Sequence, residues 1–184
     1  MLRIIETMNR DELRAVQAPL KELYKAEPET GLITLKAEGR IGEHVTCSIQ
    51  TGKALVEAGL HPATGGPGTF ACSGDMLLEA LAACAGVTMA AVATSIGVEL
   101  RGGTVRAEGD LDFRGTLGVS KEVPVGFQRI RLAFELDTDA PAGQLEKLQE
   151  LTERYCVVYQ TLRQAPAISV SSRSLHSSAS GSSV

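Results

Sequence analysis

The chain has 184 residues, of which 43% are hydrophobic and 22% are charged, and this composition is typical of a folded globular protein. Its length suits one domain with a buried core. The net charge is −4, and lysines and arginines form no stripe that could neutralise a run of phosphates, which argues against a nucleic-acid partner. Glu6 and Arg10 interrupt the N-terminal segment where a secretory signal needs an apolar core, so we expect a soluble, cytoplasmic protein without a membrane partner.

The N-terminal region predicts a helix followed by a β-hairpin. Asn9 and Glu12 have the spacing of a capping box, and apolar residues recur at helical spacing after them. Pro19 is expected to kink this helix or to start its second half. Apolar and polar residues then alternate along 33–37 and again along 45–49, with a turn predicted at 39–42.

The middle of the chain predicts a long loop and a buried helix. Glycines and prolines are frequent along 51–72, which indicates a loop. Residues 73–97 are apolar on almost every side and end at Gly97, a residue that suits the left-handed position after a helix. One sheet covers only one side of such a helix, so we expect a homodimer whose second copy covers the rest.

The last third predicts two strands, a helix and a short strand. The strands span 105–113 and 130–136, and an amphipathic helix runs from Pro141 to Pro166. A strand at 168–170 precedes a Ser-rich tail that has nothing to bury. Because helices and strands do not alternate as in a βαβ fold, the order predicts an α+β fold with mostly antiparallel strands.

The four cysteines are the candidates for chemistry. Cys47 falls on the inward face of the hairpin, where a small hydrophobic residue fits. Cys72 precedes the central helix, where backbone N–H groups can lower a thiol pKa, but nothing else marks it as reactive. Cys84 and Cys156 lie on apolar faces of two helices that should pack together. A core role and a reactive pair both remain open for these two, and the pattern alone favours the core.

No metal or cofactor site is predicted. The histidines at 44, 61 and 176 are scattered, and no Cys-x-x-Cys pair occurs. Glycines at 65, 66 and 68 lack the Lys-Ser/Thr of a phosphate-binding loop and do not follow a clear strand.

Two segments, SGDMLLEALAACAG and TERYCVVYQTL, resemble the OsmC/Ohr family, and more closely its YhfA-like branch than the Ohr enzymes. The resemblance covers residues 30–172, which leaves 1–29 as an N-terminal helical extension and 173–184 as a disordered tail. It implies an OsmC-like intertwined dimer, with mostly antiparallel sheets packed around long central helices. The active site would then lie at the subunit interface.

The resemblance also implies a thiol-dependent peroxidase that reduces organic hydroperoxides in oxidative stress defence. Cys84 would attack the peroxide, Cys156 would resolve the oxidised sulfur as a disulfide, and an external thiol or dithiol would reduce that disulfide. Arg40 would favour the thiolate and orient the peroxide, and Asp75 would hold Arg40. An exposed turn position for Arg40 and a helix-stabilising role for Asp75 remain open.

The sequence departs from the Ohr pattern after the second cysteine. The Ohr enzymes have proline there, whereas this chain has Val157, so its substrate and reductant are expected to differ from theirs. The alternative function is a non-catalytic OsmC-like dimer that binds a small apolar or thiol-bearing molecule. A dimer with a purely structural or interaction role also remains open.

Overall fold

A computed structural model describes residues 9–26, 38–41, 46–51 and 54–174. Their side chains are described as well, except in 38–41, 46–51, 54–55 and parts of 10–26. Within these ranges the helices are α1 (Arg10–Ala26), α2 (Ser73–Ile96), α3 (Phe113–Thr116), α4 (Ala142–Tyr155) and α5 (Val157–Arg163). The strands are β1 (Glu38–Ile41), β2 (Thr46–Thr51), β3 (Ala54–Gly59), β4 (Gly102–Asp110) and β5 (Arg129–Asp137). The prediction of an α+β fold with antiparallel strands is confirmed.

Helix α1 begins with the predicted capping box. The Asn9 side chain accepts hydrogen bonds from the N–H groups of Asp11 and Glu12, and Glu12 Oε2 accepts one from the Asn9 N–H at 2.8 Å. These bonds satisfy N–H groups that have no partner within the helix. The helix runs through Pro19 without an interruption and packs against α2.

The first sheet has the order β1-β2-β3 and is antiparallel throughout. Arg40 lies in β1 opposite Ser48, so the turn predicted at 39–42 is wrong, while the strand predicted at 33–37 falls outside the described residues. The loop predicted at 51–72 is also partly wrong, because it contains β3 and a 3-10 turn at Pro62–Thr64. Strand β3 is short, and its pairing with the full length of β2 is a contact that local patterns do not report.

The second sheet pairs β4 with β5, and its inner face packs on α2. Burial alternates along β5, as expected for a strand with one covered face and one solvated face. Gly86 of α2 lies against this sheet, since a Cβ atom there would sit 3.4 Å from Val105 Cγ2. The outer face carries exposed ion pairs such as Arg131–Asp110, which contribute little to stability.

The hydrophobic core lies where α2 meets α4 and β5. Its most buried members are Met89, Val92, Ala93, Val98 and Leu148. Helix α2 ends at Gly97, whose φ of 77° confirms the predicted left-handed position. Cys72 precedes the first turn of α2, as predicted, and its side chain makes no capping hydrogen bond there.

Three predictions for the last third are corrected. The strand predicted to reach Phe113 ends at Asp110, and Phe113 begins α3, where the Asp112 side chain accepts a bond from the Arg114 N–H. The long helix predicted from Pro141 to Pro166 is interrupted at Cys156. Residues 168–170 form no strand, and Ile168 is 82% exposed, because no strand among the described residues pairs with that segment.

Helix α2 is long and apolar enough, by length and composition alone, to cross a membrane, as core helices of soluble proteins also are. Only 22% of its most apolar 18-residue window is buried within one chain. Much of its apolar surface therefore faces away from the rest of the protomer.

Candidate active site

Two cysteines lie close together where α2 packs against α4 and α5. Cys84 lies in the middle of α2 and is half-buried, while Cys156 lies between α4 and α5 and is 1% exposed. Both α4 and α5 pack against α2, which brings the two thiols close enough for each to shift the pKa of the other. The structure thus brings the two cysteines of the predicted pair together, each as a free thiol.

The break at Cys156 shapes this site. Cys156 has an extended conformation, with φ of −72° and ψ of 109°, which ends α4 and starts α5. Its N–H donates to the Thr152 carbonyl at 2.9 Å, and its carbonyl accepts the Gln160 N–H at 3.0 Å. Between these two bonds, the first N–H groups of α5 are released from the helical ladder.

The released N–H groups face the sulfur of Cys84. Burial opposes ionisation of this thiol, yet its pKa lies below the usual cysteine range because of the donors around it. In order of decreasing effect, the donors are the Val158 N–H, the Cys156 thiol, the Val157 N–H and the Thr88 hydroxyl. Cys84 is therefore the more readily ionised thiol of the pair.

The pKa of Cys156 shifts in the opposite direction. Burial raises it most, and the neighbouring Cys84 raises it further, while the Tyr159 N–H partly offsets both. Of the two thiols, Cys84 therefore loses its proton first, while Cys156 keeps its own. This is the division of states that a nucleophile and its resolving partner need.

The other predicted site residues lie elsewhere. Asp75 is exposed in the first turn of α2, and nine helical residues place it about 13 Å from Cys84 and half a turn around the axis. Arg40 is placed by its backbone in β1, and its side chain is outside the description. Cys47 lies in β2, and its side chain is likewise outside the described part of the structure. Cys72 lies at the start of α2, twelve residues before Cys84.

A groove of about 410 Å³ is lined by residues near the two cysteines in sequence, although neither cysteine lines it. Leu81, one helical turn before Cys84, lines it, as do Glu153 and Tyr159 on either side of Cys156. Its wall is largely apolar, from β5 residues such as Phe134, and Arg129 and Arg163 add two cationic groups. Its size and lining suit a small organic molecule.

Sequence reasoning missed the three donors that surround Cys84 besides Cys156. The position of Thr88 could have been used to predict its role, because it follows Cys84 by four residues and such a residue lies beside the earlier one on the helix surface. The sequence gives no comparable signal for Val157 and Val158, because their role depends on a helix break that no proline or glycine marks. Among the described residues, no group of three His, Cys, Asp or Glu side chains is arranged to hold a metal ion.

These features define an α+β protein with a thiol pair between its central helix and an interrupted C-terminal helix. The OsmC-like protein family matches residues 66–171, more than half of the chain. The chain belongs to that family. The domain boundaries near residues 30 and 172 stay predictions.

Solved structures share the fold. The chain is similar to an OsmC-like protein from Mycoplasma pneumoniae, with 15% identity, a TM-score of 0.61, and coverage of 72% of this chain and 89% of that one. It is also similar to an organic hydroperoxide resistance protein from Elizabethkingia anophelis, with 16% identity, a TM-score of 0.59, and coverage of 73% and 91%. A third similar structure is an organic hydroperoxide resistance protein from Legionella pneumophila, with 18% identity, a TM-score of 0.54, and coverage of 72% of this chain and 91% of that one. No curated protein matches the sequence.

Proposed function

We propose that the protein is a cytoplasmic thiol-dependent peroxidase that reduces organic hydroperoxides. The observation that carries this proposal is the neighbouring pair of free thiols, Cys84 and Cys156, with pKa values shifted in opposite directions. The names of two solved relatives, organic hydroperoxide resistance proteins, agree with this chemistry. A role in defence against oxidative stress follows from the reaction.

The first step is attack by the Cys84 thiolate on the terminal oxygen of the hydroperoxide. A sulfur–oxygen bond forms, the oxygen–oxygen bond breaks, and the alkoxide leaves and takes a proton to become an alcohol. Cys84 is oxidised to a sulfenic acid. The N–H groups of Val157 and Val158 stabilise the attacking thiolate, so a larger fraction of Cys84 is reactive at neutral pH.

The second step forms a disulfide. The Cys156 sulfur attacks the sulfenic sulfur of Cys84, and the leaving hydroxide combines with the Cys156 proton as water. An external thiol or dithiol then reduces the disulfide and restores both thiols. Because Cys156 already neighbours Cys84 in the reduced state, we expect this step to require little movement of the helices.

The groove beside the pair is where we place the organic part of the substrate. Three of its lining residues are close in sequence to the cysteines: Leu81 is three residues before Cys84, and Glu153 and Tyr159 are each three residues from Cys156. Its apolar wall favours an organic hydroperoxide over hydrogen peroxide. We propose that Arg40 orients the peroxide and that Asp75 holds Arg40. Because Asp75 lies far from Cys84 of its own chain, we propose that a second subunit supplies at least one of these two residues.

The working form is proposed to be a homodimer joined through α2. On this helix Val87 is 73% exposed, and beside it Tyr155 and Val157 are 57% and 69% exposed. Val87 and Tyr155 also line a groove of about 490 Å³ shared by α1 and α2. A second copy would cover this apolar surface next to Cys84.

The variant Val87→Glu is expected to convert the dimer to a monomer, because a carboxylate buried in an apolar interface has no partner. Analytical ultracentrifugation at micromolar concentration measures the change. Val119→Glu is the matched control, since Val119 is 71% exposed in the loop after α3. A wild-type protein that sediments as a monomer would contradict the proposed dimer.

One equivalent of cumene hydroperoxide is expected to convert the reduced protein to the Cys84–Cys156 disulfide. Peptide mapping by mass spectrometry detects this bond, and Cys156→Ser should instead accumulate sulfenic acid at Cys84, which a dimedone probe traps. The groove also suits the alternative function, binding of a small apolar molecule without chemistry. Ligand binding in the groove with both thiols unchanged by peroxide would favour that alternative.

A further inference from the structure

The interruption at Cys156 has no cause in the local sequence. Sharp helix breaks normally occur at proline, at glycine or serine pairs, or where a side chain inserts into the backbone ladder. The residues at this break are Tyr155, Cys156 and Val157, none of which stops a helix. The cause must therefore lie in side-chain contacts across the break.

One side chain does insert into the ladder. In a continuous helix the Val157 N–H would donate to the Glu153 carbonyl, four residues earlier. Here that carbonyl accepts a hydrogen bond of 2.7 Å from the Gln160 side-chain amide. The Gln160 amide has thus taken the acceptor of the Val157 N–H, and the Val157 N–H faces Cys84.

A second contact supports the first. The Tyr159 hydroxyl donates to Glu153 Oε2 at 3.1 Å, which joins the last turn of α4 to the first turn of α5. Gln149 donates to the other oxygen of the same carboxylate at 2.9 Å. Glu153 is therefore bonded through its side chain on both sides of the break and through its carbonyl to Gln160.

We propose that Gln160 is a positioning residue of the thiol site. Its amide occupies the Glu153 carbonyl, keeps the helix interrupted at Cys156, and leaves the Val157 and Val158 N–H groups free to bond the Cys84 sulfur. The role given to the Cys84 thiolate rests on the proposed function. The physical claim concerns the state of this thiol in the absence of any substrate.

Removal of the amide gives the Val157 N–H its helical acceptor back. Because Val157 and Val158 are tolerated in helices, α4 and α5 can then join, and Cys84 loses donors that favour its thiolate. Tyr159→Phe should have a smaller effect in the same direction, because it removes the supporting contact and leaves the Gln160 bond in place.

The test is the pH dependence of Cys84 alkylation by iodoacetamide, followed on the Cys84 peptide by mass spectrometry. In Gln160→Met the pH midpoint is expected to rise by about one unit, which makes alkylation about tenfold slower below the midpoint. Gln164→Met, the same exchange at the exposed end of α5, should keep the wild-type midpoint. An unchanged midpoint in Gln160→Met would overturn the inference.

A rescue variant separates positioning from a loss of stability. Proline at 157 forces an extended conformation on residue 156 and suits the first position of a helix, so Val157→Pro restores the break without Gln160. In the double variant Gln160→Met/Val157→Pro the midpoint should return at least halfway, because the Val158 N–H, the strongest donor, is retained. A double variant that keeps the Gln160→Met midpoint would refute the role of the break.

This readout is independent of peroxide turnover. If the wild-type protein consumes no peroxide, the proposed function is wrong. A shifted alkylation midpoint in Gln160→Met would still support the role of Gln160. Conversely, active enzyme with an unchanged midpoint in Gln160→Met would overturn only the inference.

Discussion

Cys84→Ser is expected to lower dithiol-dependent hydroperoxide consumption to the rate without protein. A serine hydroxyl does not ionise at neutral pH, so the hydrogen bonds of Val157 and Val158 have no anion to stabilise. Losses on the order of a thousandfold or more are typical when a nucleophile is removed. The assay follows cumene hydroperoxide and hydrogen peroxide with dithiothreitol as reductant.

The matched control is Cys72→Ser, which removes a half-buried thiol at the start of α2 and should keep the wild-type rate. Serine is a favourable residue at that position of a helix, so the control should fold at least as well. Equal rates for wild type and Cys84→Ser, both above the background, would end the proposed mechanism. The wild-type rate should also fall as pH falls through the pKa of Cys84, since protonation removes the thiolate.

Leu148→Ala is expected to destabilise the fold by about 2–5 kcal/mol, the usual cost of removing a fully buried leucine side chain. Leu148 is 0% exposed and contacts the core that joins α4 to α2. Since folded domains have only about 5–15 kcal/mol of stability, this loss is a large part of the total. Urea unfolding at fixed protein concentration measures it.

Leu117→Ala is the control for this stability test, because Leu117 is 54% exposed after α3 and its truncation should change the free energy of unfolding by less than about 0.5 kcal/mol. Similar unfolding midpoints for the two variants would contradict the placement of the core. The same Leu148 variant should also disturb the thiol pair, since α4 carries Cys156 to its place beside α2.

The sequence predicted the elements whose signals are local. The capping box at Asn9 and the left-handed end at Gly97 depend on contacts within one turn, and both are confirmed. Strand β3 escaped prediction, and the strand at 168–170 was predicted but does not form. In both cases the outcome depends on whether a neighbouring strand is present, and a local pattern does not carry that information.

The thiol pair was predicted only in part. The apolar faces around Cys84 and Cys156 indicated that their helices pack together, and the structure places the thiols in contact. The lowered pKa of Cys84 depends on the N–H groups that the break at Cys156 leaves free, while the raised pKa of Cys156 comes mainly from its burial. The catalytic roles of both cysteines, of Arg40 and of Asp75 stay predictions for the experiments above.

The sequence by itself therefore determined the fold class and the central apolar helix, because periodicity and residue type encode them directly, whereas the two candidate thiols were singled out by the family resemblance. Tertiary structure decided which thiol ionises first. That choice depends on two N–H groups near Cys84, from Val157 and Val158, which lie more than seventy residues away along the chain. Hydrogen bonds act over a few ångströms in space, so only the folded chain brings such donors to their acceptor.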